Sequence, residues 1–157
     1  SLTALAENGD ANAKNELGVR HYSGQGVKKN FNEALKWFTK AAAQEHPKAQ
    51  YNLGVLCEKG EGVIENDKEA MKWFTKAAAQ GFAKAQADLG AMYAIGKGVQ
   101  QNNSIAYAWW NIAAFNGNLK AKKAKALVTK KMTPAEISMA QELSKKLLKK
   151  HPKAAKQ

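Results

Sequence analysis

The side chains able to do covalent or metal chemistry in this 157-residue chain are few. Histidines stand at 21, 46 and 151, and the one cysteine is Cys57. His21 and Cys57 lie 36 residues apart, so in a chain repeating with that period they hold equivalent positions. A Cys–His pair brought together by a fold can yield a thiolate nucleophile. Both residues, however, fall on the inner, apolar side of a helix, where a cysteine ordinarily serves as a small hydrophobe. Packing is the preferred reading. Three unclustered histidines make no metal set, and a lone cysteine permits no intrachain disulfide. No Ser–His–Asp arrangement or paired-carboxylate pattern is present. The pairs Gly24/Gly26, Gly60/Gly62 and Gly96/Gly98 punctuate helix–helix turns, not strand–helix turns, so they are not phosphate cradles. The chain is expected to be non-enzymatic, with no cofactor and no metal.

What remains is surface, and the surface is laid out by a repeat. Leu17-Gly18, Leu53-Gly54 and Leu89-Gly90 fall 36 residues apart, as do Ala34/Ala70/Ala106 and Trp37/Trp73/Trp109. A fixed period of this size signals stacked helical hairpins. The first helix of each copy, helix A, is predicted over 11–23, 47–59 and 83–95, with apolar residues at helical spacing. Glycine inside it at 18, 54 and 90 costs about 1 kcal/mol relative to alanine. The same cost in every copy implies a close approach by another helix. The Gly-x-Gly pairs then end helix A. Helix B is predicted over 31–44, 67–80 and 103–116. Asn30 with Glu33, and Asn66 with Glu69, have capping-box spacing. Alanines with Trp37 and Phe38 form its buried stripe; lysines 36, 40, 72 and 76 face water. The fold class is all-α.

These periods give boundaries. Residues 1–10 correspond to the end of a preceding helix B, followed by repeats at 11–46, 47–82 and 83–118. The fourth copy decays over 119–150. There Thr133-Pro134-Ala135-Glu136 starts a terminal helix whose stripe of Ile137, Ala140, Leu143 and Leu147 suits the capping of an array. Residues 151–157 are expected to be a frayed basic tail. No run approaches the roughly 18 apolar residues of a membrane-spanning helix. No secretory leader is visible, although the start looks cut from something longer.

Charge is uneven. Of the net +12, residues 1–118 carry 13 Lys and Arg against 11 acidic residues, while residues 119–157 carry 12 lysines against Glu136 and Glu142. Lys145, Lys146, Lys149 and Lys150 form a basic patch on the last helix. It is either a solvated face or a site for an anionic surface or nucleic acid. Nucleic-acid binding is the weaker option, because no arginine or aromatic residue accompanies these lysines.

The runs Ala49-Gln50-Tyr51-Asn52-Leu53-Gly54, Gly60-Glu61-Gly62-Val63 and Glu69 to Ala78 resemble the Sel1-like repeat, an α/α relative of tetratricopeptide repeats. The resemblance covers three full copies and part of a fourth. It implies a right-handed α/α solenoid superhelix with helices A on the concave side. It also implies an adaptor or scaffold role for a protein or peptide partner in a bacterial envelope, secretion or host-interaction system. A periplasmic or secreted setting is favoured and the cytoplasm left open. An immunity-type protein that blocks a toxic effector is an alternative from the same family. His21 and Cys57 replace a tyrosine usual in the motif, which only Tyr93 keeps.

By tetratricopeptide geometry the concave positions are Asn12, Asn15, Val19 and Tyr22 in copy one, and Lys48, Tyr51, Val55 and Glu58 in copy two. Copy three offers Lys84 and the alanines at 87, 91 and 94. Amides, lysines and two tyrosines suit a peptide, with Tyr22 and Tyr51 as rigid anchors. In the third helix B, Trp109 and Trp110 read as core. Tyr107 and Phe115 are left for a partner or for the terminal helices, which are expected to take most of that surface.

Overall fold

A computed structural model describes residues 1–156. The chain runs through α1 (Leu2–Glu7), α2 (Ala11–Ser23), α3 (Phe31–Ala43), α4 (Pro47–Lys59) and α5 (Asp67–Ala79). It continues through α6 (Ala83–Ile95), α7 (Asn103–Phe115), α8 (Leu119–Thr129) and α9 (Pro134–Lys150), and ends in a short 3₁₀ turn at Pro152–Ala154. No strand occurs among the described residues. None of their helices is long and apolar enough to cross a membrane. The chain divides into two compact units, Ser1–Trp73 and Phe74 to the C-terminus.

Local chemistry sets the helix boundaries. Asn30 and Asn66 accept the amides of Glu33 and Glu69, as the cap spacing predicts. Asn102 does the same for Ile105 without any acidic partner, and sequence reading passes over it. Helices α2, α4 and α6 all stop at a left-handed glycine, with φ of 73°, 68° and 74° at Gly24, Gly60 and Gly96. Each following loop is tied back by one backbone bond. The amides of Asn30, Asn66 and Asn102 donate to the carbonyls of His21, Cys57 and Tyr93, all at 2.8 Å. That position therefore contributes its backbone in every copy, which leaves its side chain free to vary.

In the N-terminal unit, Trp37 packs with Ala6, Ala13 and Leu17 against α1 and α2. Its neighbour Phe38 packs with Ala34, Ala41, Ala42, Ala49, Leu53 and Leu56 between α3 and α4. Consecutive rings thus serve two different clusters, and both touch α2. A Cβ on Gly18 would stand 2.4 Å from the Phe38 ring. What comes close is an aromatic side chain of the paired helix, not a helix backbone.

In the C-terminal unit, Trp110 replaces phenylalanine and presses on Gly90 in the same way. It packs with Ala106, Tyr107, Ala113, Ala121, Val128, Met132 and Ala140. The terminal helices take Tyr107, which is buried and carries the Lys125 ammonium 5.8 Å from its ring centre. Phe115 stays 72% exposed.

The tail differs from expectation. Residues 152–156 are not frayed: Ala154 is fully buried, and its carbonyl accepts from both Gln86 and Asn116 at 2.7 Å. His151 also stacks on Trp109 at 6.4 Å between ring centres. Small side chains at 154 and 155 let the backbone lie close on α6 and α7, which a composition rich in lysine does not reveal. Gln157 lies outside the described residues.

Candidate functional site

The N-terminal unit has a pocket of about 130 Å³ lined by Val19, Tyr22, Phe38, Asn52 and Val55. Helix α2 supplies Val19 and Tyr22 one turn apart, and α4 supplies Asn52 and Val55 at the same spacing. Four of these residues are half-buried, while Phe38 forms the buried floor. Three of the predicted concave residues are therefore brought together. Asn52, which the sequence analysis did not select, joins them and donates to Asn15 Oδ1 at 3.1 Å. The Tyr22 ring lies 5.5 Å from that of Phe31, and its hydroxyl accepts from Lys59 Nζ at 3.4 Å. That bond holds the Lys59 ammonium above its usual pKa.

The remaining predicted positions take other places. Asn12 pairs its Oδ1 with His46 Nε2 at 2.8 Å. His46 is itself the N-cap of α4, its Nδ1 accepting the Ala49 amide at 3.2 Å. This double use requires a neutral ring, and burial, with a smaller push from Lys48, lowers its pKa. Sequence reading missed the cap because histidine is not a usual capping residue. Lys48 is exposed; Tyr51 and Glu58 are half-buried and already engaged by neighbours. Lys84 is exposed and belongs to the C-terminal unit.

That second unit carries its own recess of about 240 Å³, lined among others by Ala94, Ile95, Trp110, Leu127 and Lys131. Ala94 is the copy-three counterpart of Tyr22. Ile95, 71% exposed, and Leu127, 62% exposed, stand at this recess with Asn103 and Lys131. On α9, Lys145 pairs with Glu142 at 3.1 Å, and Lys146, Lys149 and Lys150 are exposed.

His21 and Cys57 form no dyad. Neither bonds the other, and the His21 Nδ1 is buried without a hydrogen-bond partner. Cys57 is buried, and desolvation, with a smaller contribution from Glu69, pushes its thiol pKa up. The thiol form is the stable one, the opposite of what an activated nucleophile needs. Among the described residues no His, Cys, Asp and Glu cluster could hold a metal ion.

Solved structures place the fold among known proteins. The chain is similar to c5321, a protective antigen of uropathogenic Escherichia coli strains displaying an SLR fold, at 37% identity and a TM-score of 0.89. The match covers 98% of this chain but only 33% of the antigen, so the chain spans about a third of that protein's length. A Sel1 repeat protein from Oxalobacter formigenes matches at 38% identity and a TM-score of 0.73, over 80% of this chain and 94% of that one. No protein among those with curated descriptions matches. The Sel1 repeat model matches residues 11–46, 47–82 and 83–118. With three such repeats, and this likeness to repeat proteins of known structure, the chain belongs to the Sel1 repeat family, whose members generally mediate protein–protein interaction through a non-enzymatic scaffold.

Proposed function

We propose that the chain captures a protein partner through the groove between α2 and α4, which takes an extended segment of that partner. The carrying observation is the pocket of Val19, Tyr22, Asn52 and Val55 over the Phe38 floor. It offers an apolar slot beside a phenol and two amides. Such a slot can hold one small apolar side chain while the Asn15–Asn52 amides meet the backbone on either side. Tyr22 is the anchor, being a large ring with few rotatable bonds. The likeness to a protective antigen of uropathogenic strains supports a bacterial host-interaction setting.

The test is affinity capture from the source organism followed by mass spectrometry, comparing the parent with Tyr22→Ala/Asn52→Ala. Unchanged helical content with loss of one or more captured partners is expected. Capture that survives the double substitution intact removes the groove from consideration.

A second reading concerns α9, where Lys146, Lys149 and Lys150 are exposed and Glu142 is already paired with Lys145. This ridge suits an anionic surface. Retention on heparin should drop when these three lysines become glutamate, with protein capture preserved; unchanged retention would discard the reading.

A further inference from the structure

We infer that the α5–α6 turn and the end of α7 form a second binding site, one that reads peptide backbone as it leaves a 3₁₀ turn, and that the chain's own C-terminal segment occupies it. The site is built from three residues. Gln86 is fully buried, and its amide nitrogen donates to the Ala78 carbonyl at 3.0 Å and to the Ala154 carbonyl at 2.7 Å. Asn116 supplies both halves of its amide. Its Nδ2 donates to the Ala154 carbonyl at 2.7 Å and to Gln86 Oε1 at 2.9 Å, while its Oδ1 accepts the Lys156 amide at 2.8 Å. One asparagine thus grips a carbonyl and the N–H two residues further on, which reads backbone without regard to sequence.

Gly81 is the third part. A Cβ there would come within 2.7 Å of the Lys153 carbonyl and 3.2 Å of the Lys156 stem. The bare backbone at Gly81 is what lets the segment lie down. The preceding copy shows what happens without that gap. Glu45 stands in the position of Gly81 with φ of 60°, and its carboxylate accepts from the buried Gln50 amide at 3.2 Å. Gln50 corresponds to Gln86. Each buried glutamine needs an acceptor beyond its own helix turn. Copy two meets that need with a side chain, copy three with a peptide carbonyl.

The ligand class follows. It is a peptide that closes a 3₁₀ turn on alanine or glycine where Ala154 is fully buried and becomes extended at the next residue, with a free N–H two residues later and a long aliphatic stem at that second position to cover Gly81. The tail matches this description and is tethered, so it holds the site closed against any competitor present below its own effective concentration. For a short linker that concentration is in the millimolar range. The inference stands independently of the α2–α4 groove.

The experiment uses the full chain and a fluorescent peptide with the sequence of residues 151–157, read by anisotropy. Ala154→Trp cannot be seated in a fully closed position and releases the tail. The peptide should then bind about 10–100-fold more tightly than it binds the parent, because the tethered competitor is gone. Adding Asn116→Ala to Ala154→Trp should return the affinity to the parent level or below. Equal affinity for the parent and Ala154→Trp, or indifference to Asn116→Ala, overturns the inference. Should Ala154→Trp fail to fold, amide exchange on the parent decides. Excess peptide must accelerate exchange of the Lys156 N–H, and an unchanged rate overturns the inference equally.

Discussion

Replacing Gly90 with alanine in the middle of a helix would ordinarily stabilise the protein by about 1 kcal/mol. Here the structure predicts the reverse. The added Cβ would stand 2.4 Å from Trp110 Nε1 and 2.5 Å from its Cδ1. The indole is held in one cluster with Ala87, Tyr93 and Ala94 of α6, and Ala121 and Val128 of α8. It is also tethered, because Nε1 donates to the Ala87 carbonyl at 3.0 Å. Overpacking of a well-filled core costs about 1–3 kcal/mol, and the displaced hydrogen bond adds about 1 kcal/mol. Set against the helix gain, Gly90→Ala should destabilise by about 1–3 kcal/mol.

Urea unfolding followed by far-UV circular dichroism measures this, and a double-mutant cycle isolates the cause. Trp110→Ala alone should cost about 3–5 kcal/mol. On that background the space above Gly90 is empty. Gly90→Ala should then turn mildly stabilising, by up to about 1 kcal/mol. The sign change is the diagnostic, and it corresponds to a coupling of about 1–4 kcal/mol. If Gly90→Ala in the parent is neutral or stabilising, or if its cost is the same with Trp110 removed, the account of the recurring helix glycine is wrong.

Three further outcomes are expected. Glu45→Gly should be more stable than Glu45→Ala by about 1 kcal/mol, since both lose the carboxylate but only glycine relaxes at φ of 60°; equal urea midpoints would contradict this. The His46 ring is neutral in the fold and its pKa is lowered from 6.5, so the unfolded chain takes up a proton first as pH falls. Its contribution is therefore complete above pH 6.5 and is lost on acidification toward the folded-state pKa. His151 shifts in the same direction. Replacing His46 by asparagine keeps a cap and should flatten its share of that slope in urea midpoints measured from pH 7.5 to 5; an unaltered slope would count against the assignment. Cys57 should react with iodoacetamide at neutral pH far more slowly in the folded than in the urea-unfolded chain, because its thiol is buried and its pKa raised. Equal rates would show the site to be open.

The repeat frame was legible because it rests on local signals written several times over. Leucine-glycine pairs, cap asparagines and tryptophans at a common phase each fix backbone or packing within a few residues of themselves. The helix A bounds at 11–23, 47–59 and 83–95 are those observed. Three features escaped, each for a physical reason. His46 caps a helix through a ring nitrogen, a role that depends on its tautomer and not on residue type alone. Asn52 enters the groove because side-chain direction along α4 carries it, one turn before Val55, toward the pocket, and spacing borrowed from a related repeat does not record that direction. The tail was read by composition as solvated lysine, yet its docking is carried by main-chain groups, which composition does not record.

That last case bears on how function should be sought in this chain. The repeated text is scaffold: Gly90 is conspicuous because Trp110 needs room, and the Ala77-Ala78 run because both residues are fully buried. The informative positions are those where equivalent residues differ in chemistry while the surrounding geometry is held. At the α5–α6 turn the change from Glu45 to Gly81 separates a site closed by its own carboxylate from one open to a peptide carbonyl. In the A helices, the change from Tyr22 to Ala94 separates a recess that holds a phenol anchor from one that lacks it. One scaffold thus presents at least two kinds of surface, and substitutions that exchange residues between copies, Gly81→Glu or Ala94→Tyr, should move binding properties between them with little change in helical content.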